Sequence, residues 1–270
     1  MNQKLIVFTD LDGSLLDHDT YAWQSAEPAL EQLATLGFPL VFNSSKTFAE
    51  IRQLRDETHN THPAICENGS VIAIPVGYFE QGQASEHEYT LEYFAKPYED
   101  IVAALHALRE QGYRFHGFSD MTVDELCKLT GLSEPAPRAA KDRRATEPLL
   151  WQEDESRLDL FRADLEAVGF TLTRGGRFFH VMSPVNKGLA VQWLLRRYRE
   201  NQPSINWRSA GLGDSKNDIE MLRQVDYPVL ISNPNTEPPD VADLPNLVTT
   251  QLSGPHGWNT AVLSIIENLD

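Results

Sequence analysis

Residues 4–13 read KLIVFTDLDG, an apolar run of Leu5, Ile6, Val7 and Phe8 that stops at Asp10-Leu11-Asp12-Gly13. The run lacks polar alternation, so it reads as a strand buried on both faces, the kind that builds parallel sheets. Working outward, 28–36 is a helix pattern with Leu30, Leu33 and Leu36 on one face, Pro28 in the first turn and Gly37 at the exit. A second strand spans 38–43. Thr47-x-x-Glu50 is a capping box that opens a helix with Phe48, Ile51 and Leu54 on one side. Ala64–Cys66 is a third strand. Strands and helices alternating at these spacings predict a parallel sheet with crossover helices.

The alternation resumes late in the chain. Residues 187–199 and 218–224 read as helices, 209–212 and 227–231 as strands, and 260–269 as a closing helix. The segment 82–183 reads differently. A half-solvated antiparallel strand is expected at 88–94, helices at 99–111 and 156–168, and a Pro/Ala/Arg-rich loop at 134–148. Strands at 170–174 and 177–182 flank Gly175-Gly176 as a hairpin. The expected fold is α/β, a doubly wound parallel-sheet core of 1–81 and 184–270 with an inserted α+β cap domain at 82–183.

Twenty-three Lys and Arg face 39 Asp and Glu, a formal charge of −16 that argues against binding along a nucleic-acid backbone. Nothing approaches the roughly 20 consecutive apolar residues of a membrane span. The two cysteines, Cys66 and Cys127, form no CxxC pair, so neither a disulfide framework nor a Cys-based zinc site is implied. A cytoplasmic location, with no nucleic-acid or membrane partner, is expected. His59-x-x-His62 has metal-like spacing but no third ligand, and solvated side chains are expected there.

Ligands of open parallel sheets bind beyond the carboxyl ends of the strands, where Asp10 and Asp12 stand. Adjacent carboxylates repel, and a hard divalent cation relieves them. Gly211-Leu212-Gly213-Asp214-Ser215-Lys216-Asn217-Asp218 repeats the arrangement at another strand end. Asn43-Ser44-Ser45-Lys46-Thr47 offers hydroxyls at a helix start, an anion site by dipole and free N–H groups. Lys187, at a predicted helix start, opposes the dipole, which an anionic ligand would explain, although a single lysine there is by default a solvated one. Each cluster read alone is equally a strand cap or a helix cap.

In order, Asp10-x-Asp12, Ser44, Lys187 and Gly213-Asp214-x-x-Asn217-Asp218 resemble the four motifs of the haloacid dehalogenase-like superfamily of phosphotransferases. The inserted segment resembles the large α+β cap of the Cof-like (type IIB cap) sugar phosphatases. Within that branch, Ser44-Ser45-Lys46-Thr47, Glu67-Asn68-Gly69, Arg144-Ala145-Thr146-Glu147-Pro148 and Gly175-Gly176-Arg177-Phe178-Phe179-His180 resemble the mannosyl-3-phosphoglycerate phosphatase subgroup. Ser14 stands where Thr is usual, and Thr146 where the subgroup has Ser.

The resemblance implies a Mg²⁺-dependent phosphatase that forms mannosylglycerate and phosphate through an aspartyl-phosphate. Asp10 would be the nucleophile and Asp12 the acid and base, with Ser44 and Lys187 holding phosphoryl oxygens. Mg²⁺ would be held by Asp10, Asp214 and the backbone carbonyl of Asp12, with Asn217 and Asp218 behind them. Ser45, Lys46, Asn68, Arg144, Glu147 and Arg177 are the expected substrate contacts, the two arginines for the glycerate carboxylate. The same motifs leave open glucosyl-3-phosphoglycerate, sucrose phosphate or trehalose phosphate as substrate, or a phosphomutase. A phospho-acceptor module or a silent phospho-ligand binder also stays open.

Overall fold

The computed structural model describes residues 3–80, 85, 87–131, 134–175, 178–235, 239–244 and 246–269. The chain runs β1 (Gln3–Thr9), α1 (Glu27–Leu36), β2 (Leu40–Asn43), α2 (Phe48–Glu57), β3 (Ala64–Cys66), β4 (Val71–Pro75), β5 (Tyr89–Tyr93) and α3 (Tyr98–Glu110). It continues through β6 (Phe115–Gly117), α4 (Val123–Thr130), α5 (Ala136–Ala140), β7 (Thr146–Trp151), α6 (Leu158–Ala167), β8 (Thr171–Arg174) and β9 (Phe179–Met182). It ends with α7 (Lys187–Asn201), β10 (Asn206–Gly213), α8 (Ile219–Leu222), β11 (Tyr227–Ser232), β12 (Val248–Ser253) and α9 (Gly254–Glu267).

Eight strands form one sheet in the order β12-β11-β10-β1-β2-β3-β4-β5. The six from β12 to β3 are parallel, and β4 and β5 add on antiparallel. The apolar run explains why β1 lies inside. Leu5 and Val7 pack beneath α1 and α9 with Leu33 and Trp258, whereas Ile6 and Phe8 pack beneath α7 and α8 with Leu194 and Met221. From β1 the chain winds one way to β2 and β3, and from β10 the other way to β11 and β12. The switch point therefore lies between β1 and β10, and the crevice opens past Thr9 and Gly213.

The inserted cap is a second, antiparallel sheet in the order β6-β7-β9-β8. Ile101, Leu105 and Leu108 of α3 and Phe161 and Leu165 of α6 cover one of its faces against Leu149, Leu172 and Val181. The alternation of β7 turns Thr146 and Pro148 to the other face, where they lie opposite Met182 and His180. The cap's two connections meet: the Lys96 backbone N–H donates to Ser183 Oγ at 2.9 Å.

Several expectations need correction. Tyr89–Tyr93, read as part of the inserted segment, pairs with β4 in the large sheet, because Val71–Pro75 is a strand the sequence reading passed over. The expected loop at 134–148 holds α5 and the start of β7, and the closing helix begins at Gly254 rather than 260. Residues 218–224 shorten to a 3₁₀ turn, Lys216–Asp218, followed by α8. The hairpin of β8 and β9 is present, but its turn residues Gly176 and Arg177 lie outside the described residues. No helix among the described residues is long and apolar enough to cross a membrane.

Candidate active site

The parallel register of β1 with β10 sets Asp10 and Asp214 just past neighbouring strand ends. Gly13 holds the intervening turn at φ 85° and lets its backbone press on Asp214, since a Cβ there would lie 2.6 Å from Asp214 Oδ2. Trp258, fully buried on α9, donates from Nε1 to Thr9 Oγ1 at 2.8 Å and anchors the end of β1.

Lys187 is the first residue of α7, following Asn186, whose side chain caps the helix by accepting from Leu189 N–H. It is 1 % exposed. Its Nζ donates to Asp10 Oδ1 and to Asp218 Oδ1, both at 2.6 Å. Burial would push the ammonium's pKa down, but Asp10 and Asp218 outweigh it and hold Lys187 above its ordinary value, firmly charged. Asp10 moves up: burial raises it most, and the charges of Asp218 and Asp214 add to that against the pull of Lys187. Asp214 is likewise raised by burial and by Asp218.

Asp10, Asp214 and Asp218 each present a carboxylate oxygen within 4.8 Å of the others. Three carboxylates and one ammonium leave two negative charges, which a divalent cation with a taste for hard oxygen ligands neutralises. The expected ligands, the carboxylates of Asp10 and Asp214 and the backbone carbonyl of Asp12, share two of these three carboxylates, and Asp218 is the third. Asp218 is already occupied: Oδ1 accepts Lys187, and Oδ2 accepts the backbone N–H groups of Asp214 and Ser215 and the Ser215 hydroxyl. Asp214 Oδ2 accepts Asn233 Nδ2 at 2.5 Å. Asp10 Oδ2 and Asp214 Oδ1 thus remain open among the described residues, and this donor set fits a divalent ion with Asp218 behind it.

The Asp12 carboxylate turns to Lys46, with Nζ 2.8 Å from Oδ2. Tyr21 lays its ring 5.2 Å from the same Nζ. Burial lowers the Lys46 pKa, but Asp12 and Glu50 more than offset it, so the ammonium sits above its usual value. Ser44 is 1 % exposed at the end of β2; its hydroxyl accepts the Lys46 N–H at 3.2 Å. Its carbonyl accepts the Asn68 N–H at 2.9 Å, and Asn68 Oδ1 accepts Asn217 Nδ2 at 3.2 Å. Asp10, Asp12, Ser44, Lys46, Asn68, Lys187, Asp214, Asn217 and Asp218 are joined along this crevice, with half-buried Ser45 in the same loop.

The cap residues divide. Glu147 is fully buried on the helix-covered face, accepting from Tyr98 OH at 2.6 Å and from the N–H and hydroxyl of Ser119 at 2.7 Å. Strand alternation turns it away from the face shared by Thr146 and Pro148, which corrects its expected substrate role. Burial raises its pKa despite those bonds. The Arg144 guanidinium is exposed and paired with Asp142 at 3.0 Å. Arg177 lies outside the described residues. The neighbouring Arg143 is the buried one, donating to Ser45 O at 2.9 Å and Thr146 Oγ1 at 3.2 Å. Of the two histidines expected to be solvated, His59 is exposed, whereas His62 is half-buried with its Nδ1 2.7 Å from Tyr78 OH.

Sequence reasoning missed Asn233 and Arg143, and it named Glu67 only within the motif Glu67-Asn68-Gly69, without a role. Asn233 follows the apolar strand β11 and was open to the logic used for Asp10 and Asp214. For Arg143 and Glu67, the partners that define them come from distant segments.

The chain matches the haloacid dehalogenase-like hydrolase family over residues 7–251. It is 35% identical over 269 residues to a glucosyl-3-phosphoglycerate/mannosyl-3-phosphoglycerate phosphatase of Persephonella marina, covering 98% of each chain. A protein of the same description from Methanococcoides burtonii is 37% identical over 272 residues, covering 97% of each. Among solved structures, a haloacid dehalogenase-like hydrolase from Bacteroides thetaiotaomicron superposes with a TM-score of 0.66 at 18% identity, over 100% of both chains. The sucrose-phosphatase of Synechocystis does so with 0.61 at 17% identity, over 98% of this chain and 99% of that one.

Proposed function

The chain belongs to the haloacid dehalogenase-like hydrolase family and is a phosphoric monoester hydrolase, and on that premise we propose that it dephosphorylates glycosyl-3-phosphoglycerates, mannosyl-3-phosphoglycerate foremost, with Mg²⁺. The observation that carries the reading is the buried Lys187, bonded to Asp10 and Asp218 at 2.6 Å each beside Asp214. Support for the substrate comes from the two relatives described as phosphatases of such compounds. We place the cap boundaries after β5 and near 183, inside the sequence-based limit of 82.

Asp10 attacks phosphorus through one carboxylate oxygen and forms an aspartyl-phosphate as the bond from phosphorus to the glycerate oxygen breaks. A covalent intermediate divides a barrier that enzymes must lower by a factor of up to ~10²¹. Asp12, across the turn, gives a proton to the departing glycerate oxygen and then takes one from the water that hydrolyses the intermediate. Lys187 and Ser44 hold the non-bridging oxygens as their charge shifts. Asp218 fixes Lys187, and Asn233 fixes Asp214. Asp10, Asp214 and the Asp12 carbonyl would hold Mg²⁺, which would supply the charge neutralisation a phosphate dianion needs in an acidic crevice. Lys46, paired with Asp12 at 2.8 Å, offers a cation beside the acid-base carboxylate for the glycerate carboxylate.

The test is phosphate release, with Mg²⁺ and with EDTA, from mannosyl- and glucosyl-3-phosphoglycerate, sucrose 6-phosphate, trehalose 6-phosphate and 3-phosphoglycerate. Metal-dependent preference for the two glycosyl-phosphoglycerates is expected. Preference for sucrose or trehalose phosphate would discard the substrate and keep the mechanism; release undiminished by EDTA would discard the metal.

A further inference from the structure

Two segments that the resemblance singled out, Glu67-Asn68-Gly69 and Arg144-Ala145-Thr146, have no part in the chemistry described above, yet the structure joins them. Glu67 Oε1 accepts the Arg144 N–H at 2.9 Å. Glu67 Oε2 accepts the Ala145 N–H at 3.1 Å and the Thr146 hydroxyl at 2.7 Å. The carboxylate is 1 % exposed and belongs to the catalytic domain, whereas its three donors are the residues where the cap strand β7 begins. Charge-assisted bonds of this kind are about twice as strong as neutral ones, and burial sharpens them.

The backbone that presents Glu67 is unusual. Glu67, Asn68 and Gly69 take φ values of 50°, 58° and 95°, three successive left-handed residues of which only one is glycine. Non-glycine residues hold such angles only where their surroundings over-determine them. The same turn touches the chemistry. Asn68 bonds the Ser44 carbonyl and Asn217, and Gly69 packs against the backbone of Asn186 and Lys187.

The segment 139–146 is pinned nearby at two more points. Thr47 Oγ1 donates to Ala139 O at 2.9 Å, and Arg143 Nη1 donates to Ser45 O at 2.9 Å. All three ties join the cap to the loops that carry Ser44, Lys46 and Asn68, and the Glu67 joint stands beside the entering connection, where the Phe94 N–H donates to Ser70 O at 2.9 Å and the Tyr98 N–H to Arg144 O at 3.0 Å.

We propose that Glu67 is the positioning residue that seats the cap on the catalytic loops, its carboxylate acting through the 144–146 backbone and the Thr146 hydroxyl to set where the cap meets the sugar. The assignment rests on the proposed reading that a phosphorylated sugar is turned over beneath the cap. It accounts for Thr146 in place of Ser, since the joint needs a hydroxyl and both residues supply one.

The experiment compares wild type, Glu67→Gln, Thr146→Val and Thr146→Ser on mannosyl-3-phosphoglycerate and on p-nitrophenyl phosphate, an aryl ester with no sugar for the cap to hold. Glu67→Gln and Thr146→Val should lower kcat/KM on the sugar substrate about tenfold, the loss expected for one bond to a charged group. Most of that loss should appear in KM, with p-nitrophenyl phosphate turnover within about twofold of wild type and Thr146→Ser restoring the sugar substrate. Equal losses on both substrates, or none on either, would overturn the assignment. Amide exchange at Arg144 and Ala145, measured on the same proteins without substrate, should quicken in Glu67→Gln. Unchanged exchange would overturn the joint itself. A wild-type protein that hydrolyses the aryl ester but no phosphorylated sugar would instead sink the substrate reading, and amide exchange would still decide the role of Glu67.

Discussion

A buried lysine between two carboxylates makes a sharp demand on substitution. Asp10→Asn should abolish turnover while the circular dichroism spectrum stays native, and substantial residual phosphate release would remove Asp10 as nucleophile. Lys187→Ala should lower kcat by roughly 10²–10³, the range for removing one group that stabilises developing charge; an unchanged rate would leave Lys187 a purely structural cation. A different residue governs acid stability. His62, desolvated and beside Arg55, has its pKa pushed down to about 4 from 6.5. The unfolded chain takes up a proton that the folded one refuses, so stability is lost as pH falls from 6.5 through about 4, by at most about 3 kcal/mol. Denaturant titrations across that window should show a shallower loss for His62→Gln, and an identical slope would refute the assignment. At this scale the reading of the sequence was selective. Asp10, Asp214 and Lys187 were legible because strand ends and helix starts carry their own signals. Glu67 was not, since the Thr146 hydroxyl that defines its role is 79 positions away.

Elements show the same divide between local and distant causes. The doubly wound order follows from apolar runs that are buried on both faces, so β1, β2 and β3 could be read directly. β7 was missed because Pro148 and the polar start at Thr146 argue against a strand, although pairing with β6 and β9 makes it one. β12 was missed because an edge strand with only one neighbour needs little apolar content, and Val248–Ser253 is almost wholly exposed. β5 was read correctly as an antiparallel strand but assigned to the wrong sheet, since alternation does not name its partner. The turn before β4 carries a prediction. Gly69 has φ 95°, and a Cβ there would lie 3.0 Å from Lys187 N and closer still to Asn186 O. Gly69→Ala should therefore cost about 1–3 kcal/mol and lower kcat by shifting the start of α7. A thermal melt and a rate matching wild type would contradict that packing.

For the molecule as a whole, the cation proposed for the acidic crevice would be coupled to folding. A metal bound there would compete with protons for Asp10 and Asp214, whose raised pKa values mean that the folded state keeps protons the unfolded chain has lost. Their stabilising contribution in the metal-free protein is present at low pH and lost as pH rises through those values. Mg²⁺ should therefore raise Tm more near pH 7.5 than near pH 5.5, and Asp214→Asn should lose most of the gain. Equal shifts at both pH values would argue against binding at these carboxylates. The contact between Lys96 and Ser183 has a further bearing on how such a protein diversifies. Because the two ends of the inserted sheet meet within one hydrogen bond, the insert is in topological terms a long surface loop. A lid from a relative could be transplanted at that seam without disturbing strand order, and selection could exchange lids as freely as it lengthens loops. Any such chimera would have to carry a matched Glu67 and Thr146, so the exchangeable unit is the lid together with one carboxylate of the body beneath it.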